Sequence, residues 1–277
     1  MKKILFPTDF SSNALHASQY AGLLAKQLNA NVILLHSYSI PPMLDVQFQY
    51  NMEGYLLKIK EDAQKQLASF AQVFSNNTGL PTHRISLLLV SGATSETIIE
   101  SANEMEADFI VMGTKGAGNI LDKWFGTNSQ NVMKSATCPV WIVPQNTLMK
   151  LPETIMYAAD FKEDEFTATQ KILDLSNPLG AKCKVVHVHE YYELNVMGEI
   201  EKEVNHLQDR FANEDVTFEK IEASKVIGGL EKYIKIHKPD VLAMAMHEKS
   251  FLSKIFDPSI SNHFVQEANL PILIFKK

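Results

Sequence analysis

The chain repeats itself, and this internal repeat is the feature that most constrains its fold. In the first half Asp9 precedes His36 by 27 residues, and in the second half Asp160 precedes His187 by the same 27. The flanking segments correspond as well, KKILFPTDF to ETIMYAADF and VILLHS to KVVHVH. Towards the end of each half, ADFIVMG matches PDVLAMA and CPVWIV matches LPILIF without a gap. The chain therefore contains two tandem copies of one fold.

Short apolar runs alternate with segments of helical periodicity in both copies, which predicts two α/β domains. We expect strands near 2–6, 31–38, 84–90, 109–113 and 139–144, and again near 153–158, 183–190, 216–222, 240–245 and 271–276. The helices are expected near 12–29, 53–77, 94–106 and 127–136, and near 163–176, 196–213, 226–237 and 259–268. The strands are nearly continuous apolar runs, as is typical of parallel strands covered by helices on both faces.

The predicted domains are 1–145 and 152–277, joined by a short linker between Pro144 and Pro152. The two halves differ in the middle. His36 and Asp108 are 19 residues further apart than His187 and Asp240. We expect these extra residues around the second helix, between Pro41 and Tyr55.

A glycine pattern in the first half is typical of phosphate binding. Gly113, Gly116, Gly126 and Thr127 follow the spacing G-x2-G-x9-G-[ST] between an apolar strand and a helix. Gly113 lets the chain turn off a buried strand, and Gly116 permits a close approach of backbone to a ligand. Gly126 and Thr127 are expected to present free N–H groups and a hydroxyl at a helix N-terminus. A glycine-rich turn without a ligand is the alternative, but the four positions together favour phosphate.

The turn after the first strand supplies the other half of a candidate site. In an open parallel sheet, ligands bind beyond the carboxyl ends of the strands. Asp9 follows the first strand, so its carboxylate is a candidate to accept hydrogen bonds from a ribose or a base. The alternative is that Asp9 only orders its own turn. Ser11 or Ser12 is expected to cap the helix that follows.

These segments resemble the universal stress protein family. The match rests on MKKILFPTDFS, LLHS, LLVSGATSETIIESANEMEADFIVMGTKG and GT followed by CPV, and it covers residues 1 to about 145. The resemblance implies a five-stranded parallel domain with strand order 3-2-1-4-5, and the glycine motif is that of the family's ATP-binding branch. Adenine and ribose contacts are implied at Pro7, Thr8, Asp9 and Ser37. Phosphate contacts are implied at Gly113, Lys115, Gly116, Gly126, Thr127, Asn128 and Ser129.

The resemblance also bears on assembly. In single-domain relatives two chains pair through their fifth strands. The two halves of this chain are therefore expected to form an intramolecular pseudo-dimer through Val140–Val143 and Ile272–Phe275, and further homodimerisation is an open alternative.

The second half has lost the phosphate pattern. Its four corresponding positions are Ala245, Glu248, Pro258 and Ser259. Glu248 would bring a carboxylate to the place of an anion, and Pro258 lacks the N–H donor that glycine offers. We therefore expect a degenerate site that binds no ATP in the manner of the first half, so that the chain binds about one nucleotide. A site altered for a different ligand is the alternative.

Composition excludes several other classes. The net charge is −6 without a cluster of Lys or Arg, which argues against nucleic acid as the main partner. No apolar run approaches the ~20 residues of a membrane span, and the first residues do not resemble a signal peptide. Cys138 and Cys183 lack metal-type spacing, which suits a reducing cytoplasm. His187, His189 and His247 form a minor candidate for a zinc site.

Common enzyme motifs are missing from the sequence. It contains no G-x-x-x-x-G-K-[ST], G-x-S-x-G, H-E-x-x-H or C-x-x-C. Together with the family resemblance, which implies a role in the stress response, this absence leads us to expect a regulatory protein whose cofactor is ATP, with or without Mg²⁺. The alternatives are a slow ATPase with Asp9 and Lys115 near the phosphates, a scaffold without ligand, and a metal or small-ligand sensor in the second half. The sequence identifies neither the protein partner nor the physiological signal.

Overall fold

A computed structural model describes residues 1–40, 52–114, 125–161, 164–191, 197–246 and 270–277. These residues form two compact units, of which the first ends at Gln145 and the second begins at Asn146. In the described part of the chain, no helix is long and apolar enough to cross a membrane.

The first unit is a parallel sheet with helices between its strands. Its elements are β1 (Lys3–Pro7), α1 (Ser12–Gln27), β2 (Asn31–Tyr38), α2 (Met52–Thr78), β3 (Ile85–Ser91), α3 (Thr94–Glu104), β4 (Phe109–Gly113), α4 (Thr127–Ser135) and β5 (Val140–Val143). All neighbouring strands are parallel, and their order is β3-β2-β1-β4-β5. The strand order 3-2-1-4-5 is thus confirmed. A short 3₁₀ turn, Thr82–Arg84, precedes β3.

The second unit repeats this topology. Its elements are β6 (Thr154–Ala159), α5 (Glu165–Ser176), β7 (Lys182–Glu190), α6 (Met197–Arg210), β8 (Val216–Ala223), α7 (Val226–His237), β9 (Val241–Met246) and β10 (Ile272–Lys276). The strand order β8-β7-β6-β9-β10 corresponds position by position to that of the first unit. The helix predicted at 259–268 lies outside the described residues.

The central strands are covered on both faces. Ile4, Leu5 and Phe6 of β1 are each 0% exposed. Because successive side chains of a strand point to opposite faces, three consecutive buried residues require helices on both sides of the sheet. The same reasoning applies to Ile155, Met156 and Tyr157 in β6 of the second unit.

The halves differ in the length of their second helix, which partly corrects the predicted place of the extra residues. Helix α2 has 27 residues and α6 has 14, whereas the expected insertion lay between 41 and 55. Most of the 19 extra residues therefore lie within α2, and α6 ends at Arg210, before the predicted boundary at 213. Residues 41–51 lie outside the described part of the chain.

A repeated aspartate ties the fourth strand of each unit to the first. Asp108 accepts a hydrogen bond from the backbone N–H of Lys3 at 2.6 Å. In the second unit, Asp240 Oδ2 accepts bonds from the N–H groups of Glu153 and Thr154 at 2.9 and 3.0 Å. These carboxylates receive backbone donors where a strand begins, which explains the recurrence of this residue in both halves.

Candidate functional site

A cavity of about 130 Å³ opens at the carboxyl ends of β1, β2 and β4 in the first unit. This is the edge where ligands bind in open parallel sheets. The residues that line the cavity are Pro7, Thr8, Asp9, Ala14, Leu35, His36, Ser37, Thr94, Ile98, Met112, Gly113, Asn128 and Ser129. They include seven of the eleven residues that the sequence singled out: Pro7, Thr8, Asp9, Ser37, Gly113, Asn128 and Ser129.

The remaining four candidates divide into two pairs. Gly126 and Thr127 are at the start of α4, next to the lining residues Asn128 and Ser129, but do not themselves line the cavity. Lys115 and Gly116 lie outside the described residues.

The turn after β1 is fixed by three hydrogen bonds around Thr8. The N–H of Thr8 donates to Leu35 O at 2.8 Å, and its hydroxyl accepts from the N–H of Phe10 at 3.0 Å. Its carbonyl accepts from Nδ1 of His36 at 2.8 Å. Phe10 adopts a left-handed conformation with φ of 63°, and its ring centroid lies 4.3 Å from that of His36. The floor of the cavity is therefore held by contacts that involve no ligand.

Asp9 orders its turn and also lines the cavity. Its Oδ1 accepts bonds from the N–H and the hydroxyl of Ser11 at 3.1 and 2.6 Å. Ser11 in turn caps α1, since its hydroxyl accepts from the N–H of Ala14 at 3.2 Å. The cap predicted at Ser11 or Ser12 is thus Ser11. Turn ordering and ligand contact are compatible roles for this carboxylate.

Several lining residues escaped the sequence interpretation. One of them is Thr94, whose Oγ1 accepts the hydroxyl proton of the predicted residue Ser37 at 3.0 Å. This bond places two polar groups together on one wall of the cavity. Leu35, Ile98 and Met112 supply apolar surface. The signal for Thr94 was available, because it begins the helix that directly follows β3. The apolar residues resemble any other core positions, so their sequence gave no indication of a cavity.

Helix α4 begins at the rim of the cavity, but Gly126 does not play the expected part. The N–H of Gly126 already donates to Thr114 O at 2.7 Å, so it is not a free donor as predicted. Its φ of −68° and ψ of 158° are open to any residue. The N–H groups without an intrahelical acceptor are those of the first turn, from Thr127 onwards. This turn carries no acidic residue and no side-chain cap.

Ser129 joins the end of β4 to α4. Its buried hydroxyl lies 3.1 Å from both Gly113 O and Thr114 O and donates its single proton to this pair of carbonyls. A phosphate contact through the proton of Ser129 would require these bonds to open. The first role of the Ser129 hydroxyl is therefore to hold the start of α4 against the backbone of Gly113 and Thr114.

The second unit keeps the supporting contacts of the turn. Phe161 has a φ of 52°, and its ring lies 5.1 Å from that of His187. His187 Nδ1 donates to Ala159 O at 3.0 Å, as His36 does to Thr8 O. These contacts agree with a structural role for the histidine at this position of both halves.

Several of the residues that line the first cavity are replaced in the second unit. Ser37 and Thr94 correspond to Val188 and Val226, and Gly113 corresponds to Ala245. Asp160 persists but is paired with Lys277 at 3.0 Å. Glu248, Pro258 and Ser259, on which the expected loss of phosphate binding partly rests, lie outside the described residues.

A second cavity of about 190 Å³ lies in the second unit. It is lined by His187, His189, Ile200, Lys220 and Glu222. The histidines lie on β7 opposite Lys220 and Glu222 of β8. Within the described ranges, no group of three or more His, Cys, Asp or Glu residues could hold a metal ion. His247, the third histidine of the zinc hypothesis, is outside those ranges.

The two cysteines are not activated thiols. Burial raises the pKa of Cys138 to about 11 and that of Cys183 to about 12. Both are free of disulfides and stay protonated near neutral pH. Neither has the properties of a nucleophile.

Comparison with known proteins gives a consistent result across the whole chain. The family described as Universal stress protein family matches residues 1–144 and 152–276. A universal stress protein of Methanocaldococcus jannaschii is 30% identical over 142 residues, which is 51% of this chain and 81% of that protein. One from Thermus aquaticus is 34% identical over 143 residues, 51% of this chain and 98% of the relative.

A solved structure resembles the full length of the chain. The crystal structure of a universal stress protein from Archaeoglobus fulgidus superimposes with a TM-score of 0.72. The superposition covers 99% of this chain and 96% of the Archaeoglobus chain, with 18% sequence identity. This likeness supports the fold, whereas the ligand must be argued from the residues of the cavity.

Proposed function

Because this chain belongs to the universal stress protein family, we propose that its first unit binds ATP and that nucleotide occupancy regulates the protein in a stress response. The observation that carries the proposal is the cavity at the carboxyl ends of β1, β2 and β4, which combines apolar walls, polar side chains and the start of a helix. Each of these parts suits a different portion of an adenine nucleotide.

The apolar part of the cavity suits a base. Leu35, Ile98 and Met112 offer surface against which a flat ring system can pack. Asp9 and the pair of Ser37 and Thr94 stand at the same cavity and offer hydrogen bonds to a ribose or to the edge of a base. A purely apolar compound would leave these polar groups without a matching partner in the ligand.

The start of α4 suits phosphates. Its first-turn N–H groups and the helix dipole favour an anion, and no acidic side chain of that turn opposes it. The cavity of about 130 Å³ is smaller than the roughly 300–1,000 Å³ of common ligand pockets. We therefore assign to it the nucleoside part of ATP, with the phosphates outside it, over the helix N-terminus.

Regulation is a better interpretation than rapid turnover. Among the described lining residues, the carboxylate is that of Asp9, and one of its oxygens already accepts two bonds from Ser11. The imidazole is that of His36, whose Nδ1 donates to Thr8 O. Both groups are committed to the turn, which does not suit a general base for activating water. A rate of ATP hydrolysis in the ~1–10³ s⁻¹ range of ordinary enzymes would overturn this part of the proposal.

The site assignment is tested by calorimetric titration with ATP. Gly126→Val retains the backbone conformation, because φ of −68° and ψ of 158° suit valine, but places a branched side chain beside the first turn of α4. We expect this variant to lose detectable binding while its circular dichroism spectrum stays that of the parent. An unchanged affinity for ATP would contradict the assignment of the phosphates to the start of α4.

Two asparagines of α4 provide a matched pair. Asn128 lines the cavity, whereas Asn131 lies one turn later and its side chain donates to Ser95 Oγ at 3.4 Å. Asn128→Ala should weaken ATP binding about 3- to 10-fold, the equivalent of one hydrogen bond. Asn131→Ala should leave the affinity unchanged. Equal effects of the two substitutions would contradict the proposed orientation of the ligand.

A further inference from the structure

The second unit carries a charged side chain at the place that corresponds to the open cavity of the first. Asp160 and Glu165 occupy the positions of Asp9 and Ala14, both of which line that cavity. Lys277 follows β10 and corresponds to Gln145, which is exposed beyond β5. The substitutions at these two positions thus introduce one carboxylate and one ammonium group together.

These groups form a compact buried network. Nζ of Lys277 lies 2.6 Å from Glu165 Oε1 and 3.0 Å from Asp160 Oδ1. The side chains of Lys277, Asp160 and Glu165 are only 7%, 10% and 0% exposed. Glu165 Oε2 also accepts the hydroxyl proton of Tyr157 at 2.8 Å, and Oε1 accepts the N–H of Phe161 at 3.0 Å. Glu165 therefore receives three donors, of which one is a full positive charge.

The network keeps the ammonium charged. Burial alone would lower the pKa of Lys277, but the hydrogen bonds and negative charges of Glu165 and Asp160 outweigh it and raise that pKa. Burial raises the pKa of Glu165, against the opposing effect of its bonds from Lys277 and Tyr157. Three donors around one carboxyl favour its ionised form, so we take the pair as ammonium and carboxylate. Removing either partner would leave a buried charge uncompensated.

We propose that Lys277 is an internal occupant of the second unit's ligand position, where its ammonium engages Asp160 and Glu165 and closes the position to an external ligand. The inference goes beyond the proposed function, because it concerns the other unit and requires no nucleotide. The first unit has Ala14 and Gln145 at these places, and Oδ1 of its Asp9 accepts bonds from the N–H and the hydroxyl of Ser11. One acid and one lysine thus distinguish a closed copy of the fold from an open one.

The first test uses the unmodified protein. Brief acylation with an amine-reactive ester, read by peptide mass spectrometry, compares Lys277 with its exposed neighbour Lys276. Because acylation requires an accessible amine, and the Lys277 side chain is only 7% exposed and bonded to two carboxylates, Lys277 should react roughly tenfold more slowly than Lys276. Equal rates in the native protein would overturn the proposal, provided that the two sites also react equally in denaturant.

The second test asks whether an external cation can replace the side chain. Lys277→Ala should lower the melting temperature by about 10 °C, because it leaves two buried carboxylates without their cation. Lys276→Ala, the matched control, should change it little. Ethylammonium chloride should restore the melting temperature of Lys277→Ala in a saturable manner, whereas tetramethylammonium chloride, which cannot donate hydrogen bonds, should not. Identical responses to the two salts, or identical melting of the two variants, would refute internal occupancy.

Discussion

Two adjacent glycines of helix α7, Gly228 and Gly229, allow a matched test of how this helix packs on its sheet. A Cβ atom added at Gly229 would lie 2.6 Å from Cγ1 of Val188 and 2.9 Å from Cβ of Ala223. These contacts are well inside the usual carbon–carbon separation of about 3.5–4.0 Å. A Cβ atom added at Gly228 would have no atom of the described residues within 4 Å. The same substitution therefore meets β7 and β8 at one position, whereas at the next it meets no described residue.

The magnitudes follow from two opposing effects. Alanine is favoured over glycine in a helix interior by about 1 kcal/mol, and this is the upper limit of the gain at Gly228 and Gly229, which lie in the first turn of α7. At Gly229 the overpacking against β7 and β8 costs about 1–3 kcal/mol, so Gly229→Ala should be neutral to destabilising by up to about 3 kcal/mol. Gly228→Ala should stabilise by up to about 1 kcal/mol. The two variants should consequently differ in melting temperature by about 3–10 °C.

The assay must report on the second unit. Trp141 lies in β5 of the first unit, so its fluorescence does not serve this purpose. Hydrogen exchange of the β7 and β8 amides does, combined with calorimetric melting. Gly229→Ala should accelerate exchange in these strands, and Gly228→Ala should slow it or leave it unchanged. If Gly229→Ala stabilises the protein as much as Gly228→Ala, the packing of α7 described above is wrong.

Three further predictions concern binding, pH and reactivity. ATP titrated into the full chain should give a stoichiometry near one, and two equivalent tight sites would contradict the loss of binding in the second unit. The pKa of Asp240 is lowered, because the bonds from Lys150 and from backbone N–H groups outweigh its burial, which alone would raise it. The contribution of the ionised Asp240 carboxylate to the free energy of unfolding is thus fully present above the ordinary pKa of 3.8 and is lost as pH falls through the lower folded pKa. The difference in stability between wild type and Asp240→Asn should therefore be constant at pH 5–7 and decrease in acid. A stability gap that does not narrow as pH falls below 3.8 would contradict this. Since the pKa of Cys183 is raised to about 12, iodoacetamide should label it at pH 8 only after unfolding, and rapid labelling of the native protein would contradict its burial.

Much of the fold was predictable from the sequence, because each helix and strand of one half could be checked against the corresponding segment of the other half. Strand order was implied by the family resemblance, and the structure confirms it. The length of α2 was harder to use, because a helix can be extended by whole turns without changing the strands it connects. The extra residues were therefore expected between 41 and 55, whereas most of them lengthen the helix.

The sequence predicted those site residues whose role depends on neighbours in the chain, and it did not predict bonds between residues far apart in the chain. Asp9 and Gly113 stand at strand ends, so position in the chain was enough to select them, whereas Ser37 was implied by the family resemblance. The N–H of Gly126 was misjudged as a free donor, because its acceptor, Thr114 O, is distant in the sequence and no local pattern pairs the two residues. The pair of Glu165 and Lys277 spans 112 positions, and no periodicity brings such residues together. A glutamate on the buried face of α5 was the available signal.

The two left-handed phenylalanines can be compared as corresponding residues of two copies of one fold that have diverged in sequence. Phe10 and Phe161 keep an unfavourable backbone conformation in both copies, together with the contact of each ring with a histidine. A feature that persists at a cost in both copies, while the ligand-facing side chains around it have changed, belongs to the architecture rather than to recognition. A duplicated chain thus separates the two kinds of residue within a single molecule. An engineer who wishes to redirect the binding site should leave these phenylalanines untouched and vary only the positions at which the copies disagree.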